Sequence, residues 1–146
     1  MEQRPQRNRL VIGIGNPLRG DDGVGALLAE PVGGRNVQQL TPELAAELAE
    51  LEAVVFIDAW LAPVGAAPQL TVITPAAGAA ESHRLEPAQL LAISQALYGR
   101  SPQAHLLRVP AYGFDHGTAL SAELQACLPA ARALLQGWLE GPARHA

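Results

Sequence analysis

A chain of 146 residues with 49% hydrophobic content suffices for one globular domain with a full core and no crosslinks. A formal charge of -4, with ten Lys and Arg scattered along the chain, leaves no basic stripe and disfavours nucleic-acid binding. The single Cys excludes an internal disulfide framework and suits a reducing compartment such as the cytoplasm; no apolar run is long enough for a membrane span, and residues 1–8 lack the apolar segment of a secretion signal.

Residues 10–14 are apolar and predict a buried strand, which runs into a glycine-rich turn and then a helix starting near Asp21 or Asp22. Small and apolar residues at helical spacing carry that helix across 23–32, where Pro31 and Gly33-Gly34 stop it. A short strand is expected over 36–40. Thr41 then stands as the expected N-cap of a second helix, with Pro42 at its first position and Leu44, Leu48 and Leu51 on one face. Residues 53–57 form an uninterrupted apolar run, the pattern of a central strand covered on both faces, and it stops at Asp58. Residues 69–73 alternate as a strand, and a Pro- and Ala-rich loop spans 75–85. A helix over 87–97 ends before Gly99, a strand covers 105–109, and a last helix covers 121–139 with Leu124, Leu128, Ala131, Leu135 and Trp138 as its buried stripe. The order β-α-β-α-β-β-α-β-α predicts a three-layer α/β/α fold with a twisted five-stranded, mostly parallel sheet. No repeat or linker interrupts it, so residues 1–146 read as a single domain.

The glycine-rich turn, Gly13-Ile-Gly-Asn-Pro-Leu-Arg-Gly-Asp-Asp-Gly-Val-Gly25, is not a phosphate loop. Leu18 stands where a dinucleotide fingerprint needs its third glycine, and the loop ends in Asp21-Asp22 where a P-loop needs Lys followed by Ser or Thr. Two carboxylates at a helix N-terminus also repel phosphate. One of the pair suffices as an N-cap, which leaves the other for a site.

In an open sheet the ligand site lies beyond the carboxyl ends of the strands. Asp21 or Asp22 after the first strand, Asp58 after the third and His83 in the loop after the fourth all fall on that edge. Two carboxylates and an imidazole form an open donor set for Zn, Ni, Mn or Fe. Taken singly, Asp58 also reads as a strand-end group satisfying backbone N–H groups, and His83 as an exposed loop residue. His116 follows the fifth strand and is a second-line candidate. Cys127 lies near the apolar stripe of the last helix and reads as core, and no Gly-x-Ser-x-Gly elbow supports a serine hydrolase.

The glycine-rich run, Phe56-Ile-Asp-Ala59, Ser82-His83, Leu90-Leu91 and Leu97-Tyr98-Gly99 together resemble the hydrogenase maturation proteases, over residues 10 to about 138. The Asp-Gly-Gly-Thr element that many members carry after the second strand is absent; Gln39-Leu-Thr-Pro-Glu43 stands there. The resemblance implies a twisted five-stranded sheet between helices and an endopeptidase that removes a C-terminal peptide from the nickel-loaded large subunit of nickel–iron hydrogenase. It implies that Asp22, Asp58 and His83 contact the metal and form the catalytic trio, with Asp21 left as the cap. The nickel is then carried by the large-subunit precursor, which is the expected partner, and a monomer suits a site that receives a large folded protein. A nickel-binding or hydrogenase-assembly chaperone module uses the same trio without cleavage.

Overall fold

Three apolar segments lie side by side at the centre of the sheet. In the computed structural model, which describes residues 8–77, 84–115 and 117–141, strands β1 (Arg9–Ile14), β3 (Ala53–Leu61) and β5 (Gln103–Ala111) run parallel. Strand β2 (Arg35–Val37) continues the parallel sheet beyond β1, and β4 (Gln69–Ile73) closes the opposite edge antiparallel to β5. The order is β2-β1-β3-β5-β4, the five-stranded, mostly parallel sheet the sequence predicts.

Side chains alternate across the pleat, and the register carries that alternation through all three central strands. Val11, Val55, Ile57, Leu107 and Val109 face one side, where α1 (Val24–Ala29) and α4 (Ala122–Glu140) cover them with Val24, Leu28, Leu124, Ala131 and Leu135. Ile12, Ile14, Val54, Phe56 and Ala104 face the other, covered by α2 (Leu44–Leu48) and α3 (Pro87–Tyr98) through Leu48, Leu90 and Leu91. Burial on both faces explains why 53–57 is apolar without alternation. Phe56, fully buried at the centre, gains about 2–3 kcal/mol from burial alone.

Helix α1 sits against β1 because both surfaces are glycine. A Cβ on Gly13 would lie 2.4 Å from the carbonyl oxygen of Gly25. At the opposite end of the sheet, Arg9 reaches from the first residue of β1 to the end of α4. Its guanidinium donates to the carbonyls of Trp138 (2.7 Å), Leu139 (2.8 Å) and Gly141, satisfying carbonyls that a helix end leaves free. The first strand and the last helix are thus fastened together.

Several boundaries differ from expectation. The first helix is only Val24–Ala29, flanked by 3₁₀ turns at Gly20–Gly23 and Glu30–Val32, because Pro31 cannot supply the amide that α-helix needs. Strand β2 stops at Val37, two residues after it starts, and Gln38 and Gln39 lie beyond it. Thr41 does not cap α2 with its side chain: the residue before that helix is Glu43, and Leu44 N–H bonds the Thr41 carbonyl in a preceding turn. Strand β3 does not stop at Asp58 but runs to Leu61, since its pairing with β5 continues after its pairing with β1 has ended. Ser121 does cap α4, its Oγ accepting from Leu124 N–H, and Gly99 ends α3 in the left-handed conformation.

Candidate functional site

Ile14 and Asp58 form the last rung between β1 and β3. Strand β1 is followed by β2 on one side and flanked by β3 on the other, so the gap opening above this rung is the topological switch point, where open α/β sheets bind ligands. Asp22 and Asp58 stand on either side of it.

The turn after β1 is built to hold Asp22. Gly15 N–H donates to Val37 O (2.9 Å) and its carbonyl accepts from Asn36 Nδ2 (3.0 Å), which ties the turn to β2. Gly15 has φ +139°, and a Cβ there would lie 2.2 Å from the Asp22 carbonyl oxygen, so only glycine lets the chain double back. Asn16 N–H then donates to Asp22 Oδ2 (2.8 Å), while Asn16 Oδ1 accepts from Leu18 N–H (2.9 Å). One oxygen of Asp22 is anchored to the turn, and its side chain borders a cavity of about 360 Å³ with Arg19, Gln38, Gln39 and Arg84.

Its neighbour does a different job from the one expected. Asp21 is 1% exposed and is not the cap of α1, whose preceding residue, Gly23, makes no side-chain bond. The Asp21 carboxylate accepts from Tyr112 N–H, Ser121 N–H and Ser121 Oγ–H, each at 2.7 Å. Backbone bonds from Gly20 N–H to Gly117 O (2.8 Å), Asp21 N–H to Gly113 O (2.9 Å) and Gly117 N–H to Leu18 O (2.7 Å) complete the seam. Asp21 therefore joins the first turn to the segment between β5 and α4, turned away from the Asp22 cavity. Because its carboxylate is filled by three donors, Asp22 is the one left facing the mouth.

Asp58 projects from the same sheet face as Phe56 and is partly covered. Its pKa is raised to about 6, chiefly by burial; the Arg84 guanidinium lowers it, while the charges of Asp22 and Glu86 raise it further and the Ala59 backbone amide lowers it. Arg84 Nη2 lies 3.6 Å from Asp58 Oδ2. The charge of Asp22 thus acts on Asp58 across this edge of the sheet.

His83 and His116 lie outside the described residues, although Arg84, the chain neighbour of His83, does reach the site. Among the described residues no three His, Cys, Asp or Glu side chains are grouped closely enough to hold a metal ion; Asp22 and Asp58 provide two oxygen donors. Two carboxylates on one sheet edge, one of them desolvated, suit a divalent cation chemically, because its charge would offset both penalties. Arg84, Gln38 and Gln39 were not singled out from the sequence. The signal for the glutamines was available, since polar residues that weaken the end of a strand at the carboxyl edge are placed to line the mouth.

No family model matches the chain, and no curated protein does. Solved structures do. The [NiFe] hydrogenase maturation protease HybD from Thermococcus kodakarensis superposes with a TM-score of 0.67 at 21% identity, over 90% of this chain and 99% of that one. The hydrogenase maturating endopeptidase HybD from E. coli gives 0.68 at 17% identity, over 90% and 91%. The maturation protease HycI from Thermococcus kodakarensis gives 0.65 at 22% identity, over 91% of each. The chain therefore has the fold of the [NiFe] hydrogenase maturation proteases along nearly its whole length.

Proposed function

We propose that this protein is an endopeptidase of hydrogenase maturation, removing a C-terminal peptide from the nickel-loaded large-subunit precursor. The observation that carries the reading is that Asp22, in the turn after β1, and Asp58, on the last rung of β3 with β1, flank the switch point of a fold shared with proteins described as maturation proteases. The nickel belongs to the substrate, and Asp22, Asp58 and His83 are the side chains that meet it.

The roles of the two carboxylates differ because their surroundings differ. Asp22 has one oxygen fixed by Asn16 N–H, and among the described residues its other oxygen makes no hydrogen bond, so it binds with little loss of side-chain freedom. Asp58, whose pKa burial raises to about 6, is largely ionised at neutral pH and exchanges a proton close to it, which suits a general base toward water. A metal ion supplied by the precursor would polarise the scissile carbonyl. Arg84 neutralises the empty site and is displaced from Asp58 when the cation arrives. An empty precursor offers no charge to this pair, so cleavage waits for metal insertion.

The test is the mass of a large-subunit precursor after incubation with the protein, with and without nickel loading. Shortening of the loaded form alone is expected. An intact loaded precursor that stays bound to the protein would overturn the peptidase reading in favour of an assembly module.

A further inference from the structure

On the Asp58 face of the sheet, β3, β5 and β4 form a floor that shares Asp58 with the two-carboxylate site. Asp58, Arg108 and Gln69 form one row across β3, β5 and β4, and Trp60 stands one step higher on β3. The Arg108 guanidinium lies over the Trp60 ring, 4.4 Å from its centroid. Asp58, Trp60 and Arg108, together with Thr71, Leu106 and Glu86, line a cavity of about 350 Å³, within the range of small-ligand clefts. It meets the Asp22 cavity at the Arg84–Asp58 contact.

Two features of this floor call for a ligand of definite charge. Asp58 is paired with Arg84, and among the described residues no carboxylate pairs with Arg108, whose face is stacked and whose N–H edges are left to the cavity. The Trp60 Nε1–H beside it is buried with no acceptor among the described residues, the kind of group that folded proteins normally satisfy. A guanidinium held against a ring is pre-oriented for a fork-like grip on a carboxylate. Glu86 and Asp58 on the walls oppose any anion, so only one gripped by the Arg108 fork is held.

We infer that Arg108 and Trp60 form a specificity subsite that takes a carboxylate carried by the peptide segment being cut, either an acidic side chain or the chain end. This rests on the endopeptidase reading for the identity of the peptide. An extended chain crossing the mouth passes from the Asp22 cavity over Asp58 and onto this floor. Arg108 acts as a binding residue, so its loss raises KM more than it lowers kcat.

The experiment uses the full-length protein and synthetic C-terminal tail peptides of the precursor in three forms: native, with the terminal carboxylate amidated, and with acidic side chains replaced by amides. Binding is read from the Trp60 indole N–H resonance, independently of cleavage. The native peptide is expected to shift that resonance, one amidated form to bind at least tenfold more weakly, Arg108→Gln to erase the difference and Arg108→Lys to retain part of it. The weakened form tells whether the side chain or the chain end is held. Equal binding of all three peptides, no binding of any, or an undiminished preference in Arg108→Gln overturns the inference. If Arg108→Gln misfolds, the peptide series on the unaltered protein still decides. Mass analysis of the loaded precursor runs alongside: cleavage with no carboxylate preference sinks the subsite and leaves the peptidase, and preference without cleavage does the reverse.

Discussion

Replacing Asp58 by Asn should make this protein more stable at neutral pH. A carboxyl whose pKa rises from 3.8 to about 6 on folding holds its proton more tightly in the folded state. The stability this brings is fully present below about pH 3.8 and is lost as pH rises through about 6. Above that range the ionised Asp58 costs up to about 3 kcal/mol, at about 1.4 kcal/mol per unit. The Arg84 guanidinium, half exposed and 3.6 Å away, is already counted in that value, since it lowers the pKa that burial raises. Asn keeps the shape and an acceptor for the Ala59 amide but never ionises. Asp58→Asn should therefore gain about 1–3 kcal/mol at pH 7.5, a rise in Tm of roughly 2–4 °C per kcal/mol for a chain of this size. At pH 3.5 both proteins carry a neutral group and the gain should vanish. Thermal unfolding of both proteins at the two pH values measures it. An Asn variant no more stable than the parent at pH 7.5, or a gain equally large at pH 3.5, would refute the claim that charge is destabilised at this position.

Further outcomes follow from the same geometry. Asp21→Ala strands three donors in the seam between the first turn and α4, and should cost about 3–5 kcal/mol in denaturant unfolding, while Asp22→Ala, whose carboxylate holds one amide, should cost about 1 kcal/mol. Gly15→Ala drives a Cβ against the Asp22 carbonyl at positive φ and should lower stability by more than about 2 kcal/mol; amide chemical shifts of residues 15–22 would show whether the turn moves. Pro129 is exposed in the interior of α4, where its ring displaces a helical bond, so Pro129→Ala should raise stability by about 1–3 kcal/mol in the same assay.

What could be read from the residues was whatever periodicity and turn chemistry encode. The apolar run at 53–57 announced a central strand, and Gly99 and Pro31 marked helix ends by their backbone preferences. The continuation of β3 through Asp58 to Leu61 was not legible, because ladder hydrogen bonds with β5 sustain a strand after its apolar pattern has ended. Nor could spacing tell Asp21 from Asp22. Adjacent residues of one type differ only in where the fold points them, and the donors that claim Asp21 come from residues 112 and 121, about a hundred positions away. The resemblance chose Asp22, and the filled carboxylate of Asp21 gives a physical reason for that choice. Arg9 at the end of α4 and Arg108 over Trp60 were invisible for the same reason, being contacts between distant segments. The placement of His83 falls outside the described residues.

The central claim is that Asp22, and not Asp21, faces the substrate's metal. The most direct test is the mass of a nickel-loaded large-subunit precursor after incubation with Asp22→Ala protein whose circular dichroism matches the parent. A precursor left at full length by this variant and shortened by the parent is the predicted result. A precursor shortened equally by both would contradict the account.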